Sequence, residues 1–134
     1  MDPLAFSRAY VPAAVREGLT YVFLSYCEEE CQAIRPDLAT WTSYFRRPDR
    51  LYPHALLGFG EIGLSQPVSP STFSSAASLM AYYYGVAVDL PYYVGGYFWW
   101  YYDEDGLPYR SKPLWADLSS SIRDEAAALA PPRP

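Results

Sequence analysis

Residues 81–106, AYYYGVAVDLPYYVGGYFWWYYDEDG, decide how this chain is expected to fold. They hold eight of the 14 tyrosines and two of the four tryptophans in a protein of 134 residues. Asp89 is the only charged residue of the stretch before Asp103. Such a run of aromatic side chains is typical of a helix that crosses a bilayer, and also of strands with a buried face. These two structures imply different functions, so both are kept open.

The first interpretation is a membrane helix. Residues 73–102 exceed the roughly 20 predominantly apolar residues that a spanning helix needs. YFWWYY, followed at once by acidic residues, is typical of an aromatic belt at the membrane interface. Asp89 would lie near mid-membrane and Pro91 would kink the helix, so neighbouring helices would have to supply hydrogen bonds. This interpretation predicts a mainly α protein with one kinked transmembrane helix at residues 73–102.

The alternative interpretation is a β-structure made from the same residues. Gly95 and Gly96 separate YYV from YFWW, and a two-glycine signal between aromatic strands is typical of a hairpin turn. DEDG (103–106) resembles a second turn, and Pro91 would lie at a sheet edge or a bulge. This alternative predicts a soluble α+β fold with an aromatic β-meander at residues 82–112.

Amphipathic helices are predicted on both sides of the aromatic stretch. Apolar residues recur at helical spacing from Pro12 to Ile34, within an N-terminal segment of residues 1–35. Residues 113–129 form a second amphipathic pattern, which APPRP ends, within a C-terminal extramembrane segment of residues 103–134. Each apolar face has to be buried against this chain or against a partner.

The segment between the first helix and the aromatic stretch is predicted to be an extended arm. Residues 36–72 are rich in Pro and Gly and show no clean period, and a loop of this length is more natural laid across another protein. GFGEIG (58–63) lacks the glycine spacing and the lysine of nucleotide-binding loops, so it predicts a flexible loop.

Charge and composition exclude several classes of function. The net charge is −5 and the sequence pI is about 4.7. Nucleic-acid binding requires clustered Lys and Arg, so we expect no nucleic-acid partner. The first residues include an acidic second position and no apolar run long enough for a secretory signal.

The residues with reactive side chains are few. CEEEC places Cys27 and Cys31 one turn apart on the predicted helix, and two thiols are too few for a closed zinc site. His54 is the only histidine, and no spacing supports its pairing with either cysteine as a nucleophile. We expect two buried or partner-facing thiols, no catalytic residues, no metal site and no cofactor. The sequence therefore predicts a protein that is not an enzyme.

Two short motifs carry a family resemblance. GVAVDLPYYV (85–94), followed by an aromatic and acidic segment and then YRSKPLW (109–115), resembles cytochrome c oxidase subunit VIa. That family has a single spanning helix, and an Arg-Ser/Thr-Lys-Pro sequence follows shortly before a Trp. This chain departs from the family in its longer arm before the helix and in the residues 116–118 that replace Gly-Asp-Gly. The resemblance implies an accessory subunit, with Arg110, Lys112 and Trp115 docking outside the membrane.

These observations predict a non-catalytic accessory subunit of a multisubunit respiratory complex in the mitochondrial inner membrane, with cytochrome c oxidase as the first candidate. Its partners would be the other subunits and the lipid bilayer. The residues predicted to dock on partners are Asp89, Trp99, Trp100, Arg110, Lys112 and Trp115. The alternative is a soluble, cytoplasmic module that binds protein or carbohydrate through its tyrosines, which give large contact area at low entropic cost.

Overall fold

Helices and strands alternate along most of the chain. The structure is a computed structural model that describes residues 3–130. Its elements are α1 (Pro3–Tyr10), α2 (Ala13–Gly18), β1 (Tyr21–Tyr26), α3 (Leu38–Asp49), β2 (Leu56–Ile62), α4 (Phe73–Tyr84), β3 (Phe98–Trp99), α5 (Tyr102–Gly106) and α6 (Trp115–Leu129). Short 3₁₀ helices lie at Glu29–Cys31 and Tyr109–Ser111.

The three strands form one parallel sheet in the order β1-β2-β3. Parallel neighbours need a crossover connection, and α3 supplies it between β1 and β2, while α4 supplies it between β2 and β3. The sheet register pairs Tyr21 with Leu56 at one end and Ile62 with Trp99 at the other. The fold is therefore α+β, with β2 as the central strand.

The core lies on one face of this sheet and is built from aromatic rings. Phe59 of β2 is fully buried and its ring lies 4.7 Å from Trp41, 5.0 Å from Phe45 and 5.0 Å from Tyr97. Tyr83 of α4 joins them at 5.8 Å from Phe59. Edge-to-face and offset aromatic pairs at these separations stabilise a core beyond their area burial. α3, α4 and the segment before β3 are held together by this cluster.

The predicted transmembrane helix at residues 73–102 is wrong. α4 ends at Tyr84, and residues 85–97 run without helix to β3. Within residues 3–130, no helix combines the length and the apolar character needed to cross a membrane. The helix stops before Gly85 and Pro91 because glycine and proline are poor helix formers. The mainly α interpretation is also wrong, because the fold contains a three-stranded parallel sheet.

The predicted β-meander at residues 82–112 is also wrong, although the fold has the α+β class of that alternative. A meander is antiparallel, whereas Tyr93 and β3 both pair with β2 in parallel. Gly95 and Gly96 have φ angles of 68° and 84°, but they kink one segment instead of reversing it. The Val94 amide donates to Leu57, and the Phe59 amide donates to Gly95, so residues 92–99 continue beside β2 across the kink.

The N-terminal half also differs from the prediction of one helix from Pro12 to Ile34. α2 ends at Gly18, and β1 follows with exposed and half-buried residues in strict alternation. YVFLSY consists mostly of aromatic and β-branched residues, which favour strands. Val22 and Tyr26 are four residues apart, a separation that places two side chains on the same side of a helix and also on the same face of a strand.

The predicted Pro-rich arm at residues 36–72 is wrong as an extended segment, because it contains α3 and β2. Asp37 caps α3 by accepting a hydrogen bond from the Thr40 amide at 2.8 Å. GFGEIG forms most of the central strand and not a flexible loop. The C-terminal helix is confirmed as α6, from Trp115 to Leu129. The proposal that APPRP ends this helix concerns residues that mostly lie outside the described range.

Candidate functional site

A cavity of about 480 Å³ opens at the carboxyl ends of β1 and β2. In open α/β sheets, ligands bind in the crevice outside the carboxyl ends of the strands. Its wall includes Cys27, Cys31, Glu61, Leu64 and Trp100. We call this space the carboxyl-edge cavity.

A bulge in β2 aims a carboxylate toward this cavity. Leu24 pairs with Phe59, but Tyr26 pairs with Ile62, so β2 holds one residue more than β1 between these pairs. Bulges of this kind redirect side chains and are frequent beside functional sites. Glu61 lies in the bulge, where its amide donates to the Ser25 hydroxyl at 3.1 Å and its carboxylate accepts from that hydroxyl at 3.5 Å.

Two free thiols also line this cavity. Cys27 directly follows β1, and its Sγ donates a weak hydrogen bond to the Gly63 carbonyl at 3.7 Å. The Cys31 amide donates to the Cys27 carbonyl at 3.1 Å, which closes a single turn between them. Both cysteines are half-buried. Burial, together with the neighbouring Cys31, raises the pKa of Tyr26 to about 12, so this phenol is neutral at physiological pH.

The loop that carries the thiols is fixed by its own polar contacts. Glu28 accepts hydrogen bonds from Arg35 Nε at 2.6 Å and from the Tyr83 hydroxyl at 3.0 Å. Glu29 accepts from the Ser65 amide at 2.6 Å and also from the Ser65 hydroxyl, and these bonds lower the pKa of Glu29. The loop is thereby attached to α4 and to the segment after β2.

Beside the cavity, the sheet face opposite the core carries exposed aromatic rings. Tyr21, Phe23, Phe98 and Trp100 are 54%, 42%, 56% and 55% exposed. The Phe23 ring lies 5.9 Å from Tyr21 and 5.9 Å from Phe98. We call these four residues the aromatic face.

Three glycines, Gly58 and Gly60 of β2 and Gly96 before β3, lie beneath the Phe23 ring. A Cβ added to Gly58 would meet the Phe23 ring at 3.2 Å, and one added to Gly60 would meet Phe23 Cβ at 3.4 Å. Gly96 faces the same ring at 3.3 Å. Since these positions have no side chains, Phe23 lies across the sheet and joins the rings of β1 to those of β3.

Of the six predicted docking residues, only Trp100 lies on the aromatic face and at the cavity. Trp99 is buried, and its indole N–H donates to Asp105 at 2.7 Å. Asp89 is exposed on the irregular segment before β3 and does not lie inside a membrane helix.

The other three predicted docking residues lie between α5 and the start of α6. Arg110 is exposed, and Lys112 is half-buried. Trp115 is half-buried, with its ring 5.0 Å from Tyr109. None of the three lines the carboxyl-edge cavity.

The strand topology separates the residues considered for a nucleophile pair. His54 precedes β2, at the amino end of the sheet, whereas Cys27 follows β1 at the carboxyl end. Because β1 and β2 are parallel, these positions lie at opposite edges. Within the described part of the chain, no group of three His, Cys, Asp or Glu side chains could hold a metal ion.

Sequence reasoning missed Phe23, Ser25, Glu61 and Phe98 as site residues. The strand-forming residues of YVFLSY indicate β1, but its odd positions are nearly as apolar as its even ones, so the sequence does not reveal which face is exposed. Glu61 could not be found in this way, because its position depends on the bulge.

Comparison with known proteins identifies no relative: no protein-family profile, curated protein or solved structure matches this chain.

Proposed function

We propose that this protein is a binding module whose aromatic face binds a basic, amphipathic segment of a partner protein. The carrying observation is the exposure of Tyr21, Phe23 and Phe98 as neighbouring rings on one sheet face, with Trp100 exposed two residues after Phe98. Single exposed apolar residues are ordinary, but a contiguous apolar patch beside polar groups marks an interaction site. Aromatic residues are also the side chains most enriched at the energetic centres of protein interfaces.

The apolar character of the aromatic face favours a protein partner over a carbohydrate. Sugar recognition needs hydrogen-bonding groups placed around an aromatic ring to bind the hydroxyls. The polar groups nearest to the rings, Ser25 and Glu61, already bond to each other. Gly58 and Gly60 are buried beneath Phe23, so the rings themselves form the surface here, which suits a broad apolar contact.

Charge favours a basic partner over a second copy of this chain. Glu61 is the only charged residue in the three strands, and Glu30 adds a second carboxylate at the cavity. Two copies would each bring a net charge of −5, and their repulsion opposes association. A segment with Lys or Arg beside its apolar residues complements this surface, which raises its association rate and its specificity.

The test uses a random library of 12-residue peptides panned against the protein. Peptides that bind elsewhere are removed by competition with a soluble face variant, Phe23→Ser, Phe98→Ser and Trp100→Ser, which lacks three rings of the aromatic face. The matched control carries Phe6→Ser, Tyr10→Ser and Tyr109→Ser, since these rings are also exposed but lie elsewhere. Circular dichroism and thermal melts confirm that both variants fold.

We expect the enriched peptides to combine aromatic or aliphatic residues with Lys or Arg. A synthetic peptide from that set should bind wild type and the control equally, and the face variant at least tenfold more weakly, as for loss of an interface hot spot. Equal binding to the face variant, or acidic enriched sequences, would refute the proposal. Binding on a sugar array or concentration-dependent dimerisation, without peptide binding, would assign the face to a carbohydrate or to a second copy.

The predicted role as an accessory subunit of a respiratory complex stays a prediction. Its main structural support was the spanning helix at residues 73–102, which the fold does not contain. What remains of that argument is the short family resemblance.

A further inference from the structure

We propose that Cys27 and Cys31 are a modification site: they form a reversible disulfide at the carboxyl-edge cavity, and this bond regulates the aromatic face. The regulatory half of this inference rests on the proposed binding function, whereas the disulfide itself does not. Both thiols are free and half-buried, and both line the same cavity.

The backbone between the two cysteines brings them within reach of each other. The Cys31 amide donates to the Cys27 carbonyl at 3.1 Å and to the Glu28 carbonyl at 3.0 Å, so one turn separates them. A single turn sets the two Cα atoms about 6 Å apart, inside the range of roughly 4.4–6.8 Å that disulfides occupy.

The local structure also permits the adjustment that a disulfide needs. A regular helix would strain such a bond, because it fixes the side chains of residues four apart at too great a separation. Here Cys27 lies between β1 and a 3₁₀ helix of three residues, and Cys31 ends that helix. Gln32 and Ala33 follow with φ angles of 60° and 54°, so the chain leaves the turn immediately and no longer helix holds Cys31 in place.

The reaction is thiol–disulfide exchange with a low-molecular-weight disulfide that enters the cavity. One cysteine, as thiolate, attacks a sulfur of the reagent and releases one thiol, which leaves a mixed disulfide. The second cysteine then attacks the protein sulfur of that mixed disulfide and releases the second thiol. Two electrons and two protons pass from the cysteines to the reagent, which is reduced to two thiols.

Charge around the site sets the preferred reagent. Glu28, Glu29 and Glu30 lie between the cysteines in sequence, and Glu61 lines the same cavity. Although Glu28 is paired with Arg35, the remaining carboxylates repel anions. We expect cationic cystamine to react fastest, neutral 2-hydroxyethyl disulfide at an intermediate rate and anionic glutathione disulfide slowest, with differences that shrink at high salt.

A short path connects Cys27 to the aromatic face. The Cys27 thiol donates to the Gly63 carbonyl at 3.7 Å, and a Cβ at Gly63 would meet Trp100 Cβ at 2.9 Å. The Trp100 amide donates to the Ile62 carbonyl at 2.9 Å. Drawing the Cys27 sulfur toward Cys31 removes the bond to Gly63 and changes the support beneath Trp100.

The first experiment tests the disulfide alone. The folded protein is incubated with cystamine, remaining thiols are blocked with N-ethylmaleimide, and cleavage after the glutamates separates the cysteines into two fragments. We expect wild type to yield these fragments joined by a disulfide within one chain. Cys27→Ser and Cys31→Ser should each retain cysteamine as a stable mixed disulfide. Two mixed disulfides on wild type, or a disulfide between chains, would overturn the proposal.

The second experiment tests the regulation. Trp100 emission is obtained as the difference between wild type and Trp100→Phe, and peptide affinity is measured on the reduced and the oxidised protein. We expect a shift in the Trp100 emission and at least a threefold change in affinity, both reversed by a reducing agent and absent in Cys27→Ser. An intact disulfide with unchanged emission and affinity overturns the regulatory half. If no peptide binds, the proposed function fails, and the fragment map still decides the disulfide.

Discussion

The two faces of the sheet carry the same kinds of side chain in opposite surroundings. On the core face, Phe59 is fully buried against Trp41, Phe45, Tyr83 and Tyr97. On the aromatic face, Phe23 contacts only a few rings and remains 42% exposed. One face is a core that helices cover, whereas the other is the surface on which we propose that a partner binds.

Buried tyrosines of the core are accommodated because their hydroxyl groups form hydrogen bonds inside it. The Tyr93 and Tyr97 hydroxyls both donate to the Val86 carbonyl, at 3.0 and 2.8 Å, and the Tyr84 hydroxyl donates to the Tyr97 carbonyl at 3.1 Å. Burial raises the pKa of all three phenols, so they stay neutral donors. Buried tyrosines need such partners. An aromatic-rich segment can therefore build a small core without any bilayer.

The largest effect should come from truncating the centre of the core face. Phe59→Ala removes a ring that several others pack against, and large-to-small changes of this kind cost about 3–5 kcal/mol. Phe23→Ala, its counterpart on the aromatic face, should cost about 1 kcal/mol or less, since much of the ring is already in water. Urea unfolding followed by circular dichroism compares the two. Equal losses would contradict the assignment of one buried and one open face.

The next largest loss of stability is expected from adding one methyl group to the central strand, at Gly58. The Cβ of Gly58→Ala would overlap the Gly95 carbonyl oxygen, which accepts the Phe59 amide, so the third strand would have to shift. Overpacking of this kind costs about 1–3 kcal/mol. Gly18→Ala is the matched control, because nothing lies within 4 Å of the added atom, and it should be neutral or slightly stabilising. Thermal melts of both variants give the comparison, and a Gly58→Ala variant as stable as wild type would show that the strand register is different.

The sequence predicted correctly the features that depend on neighbouring residues and failed for those that depend on residues far apart in the chain. α6 was predictable because its apolar spacing and the helix-start signal at Pro113, two residues before Trp115, depend only on neighbouring residues. The transmembrane interpretation failed because hydropathy does not reveal that the hydroxyls of Tyr84, Tyr93 and Tyr97 find partners inside a core. The cavity required the bulge at Glu61 and the parallel pairing of distant strands. Neither can be read from spacing along the chain.

An intermediate effect on the free energy of unfolding is expected from a change of pH, through Glu125, which contacts the kink at Gly96 before β3. Glu125 of α6 accepts a hydrogen bond from the Gly96 amide at 3.3 Å, and burial raises its pKa to about 7, with the amide acting in the opposite direction. Tyr84, Tyr93 and Tyr97 face it from other elements, and all three are neutral. Asp117 and Asp124 of α6 line a second cavity together with Glu125.

The raised pKa sets the direction of the pH effect on stability. The folded state holds the Glu125 proton more tightly than the unfolded chain does, so this contribution is complete below pH 4.5 and is lost as pH rises through 7. Because Glu125 is half-buried, solvent screening limits the loss to roughly 1 kcal/mol. Glu125→Gln should abolish this loss, and urea unfolding from pH 4.5 to 8 measures it. A wild-type decline that persists unchanged in Glu125→Gln would place the titrating group elsewhere.

The smallest effect is expected at Asp89, the residue on which the membrane interpretation depended most. A carboxylate inside a bilayer helix would need a partner, and its replacement by Leu would alter insertion and assembly. Asp89 is exposed on the segment before β3, so Asp89→Leu should change the free energy of unfolding by only about 0.5 kcal/mol.

Asp105 is the contrasting control. It is buried and accepts bonds from Trp99 Nε1 at 2.7 Å and the Val68 amide at 2.8 Å, so Asp105→Ala leaves two donors unpaired and should cost about 1–3 kcal/mol or more. Urea unfolding of the two variants under one condition measures this difference. If Asp89→Leu destabilised the protein as much as Asp105→Ala, the segment between α4 and β3 would be packed against something that the isolated fold does not show.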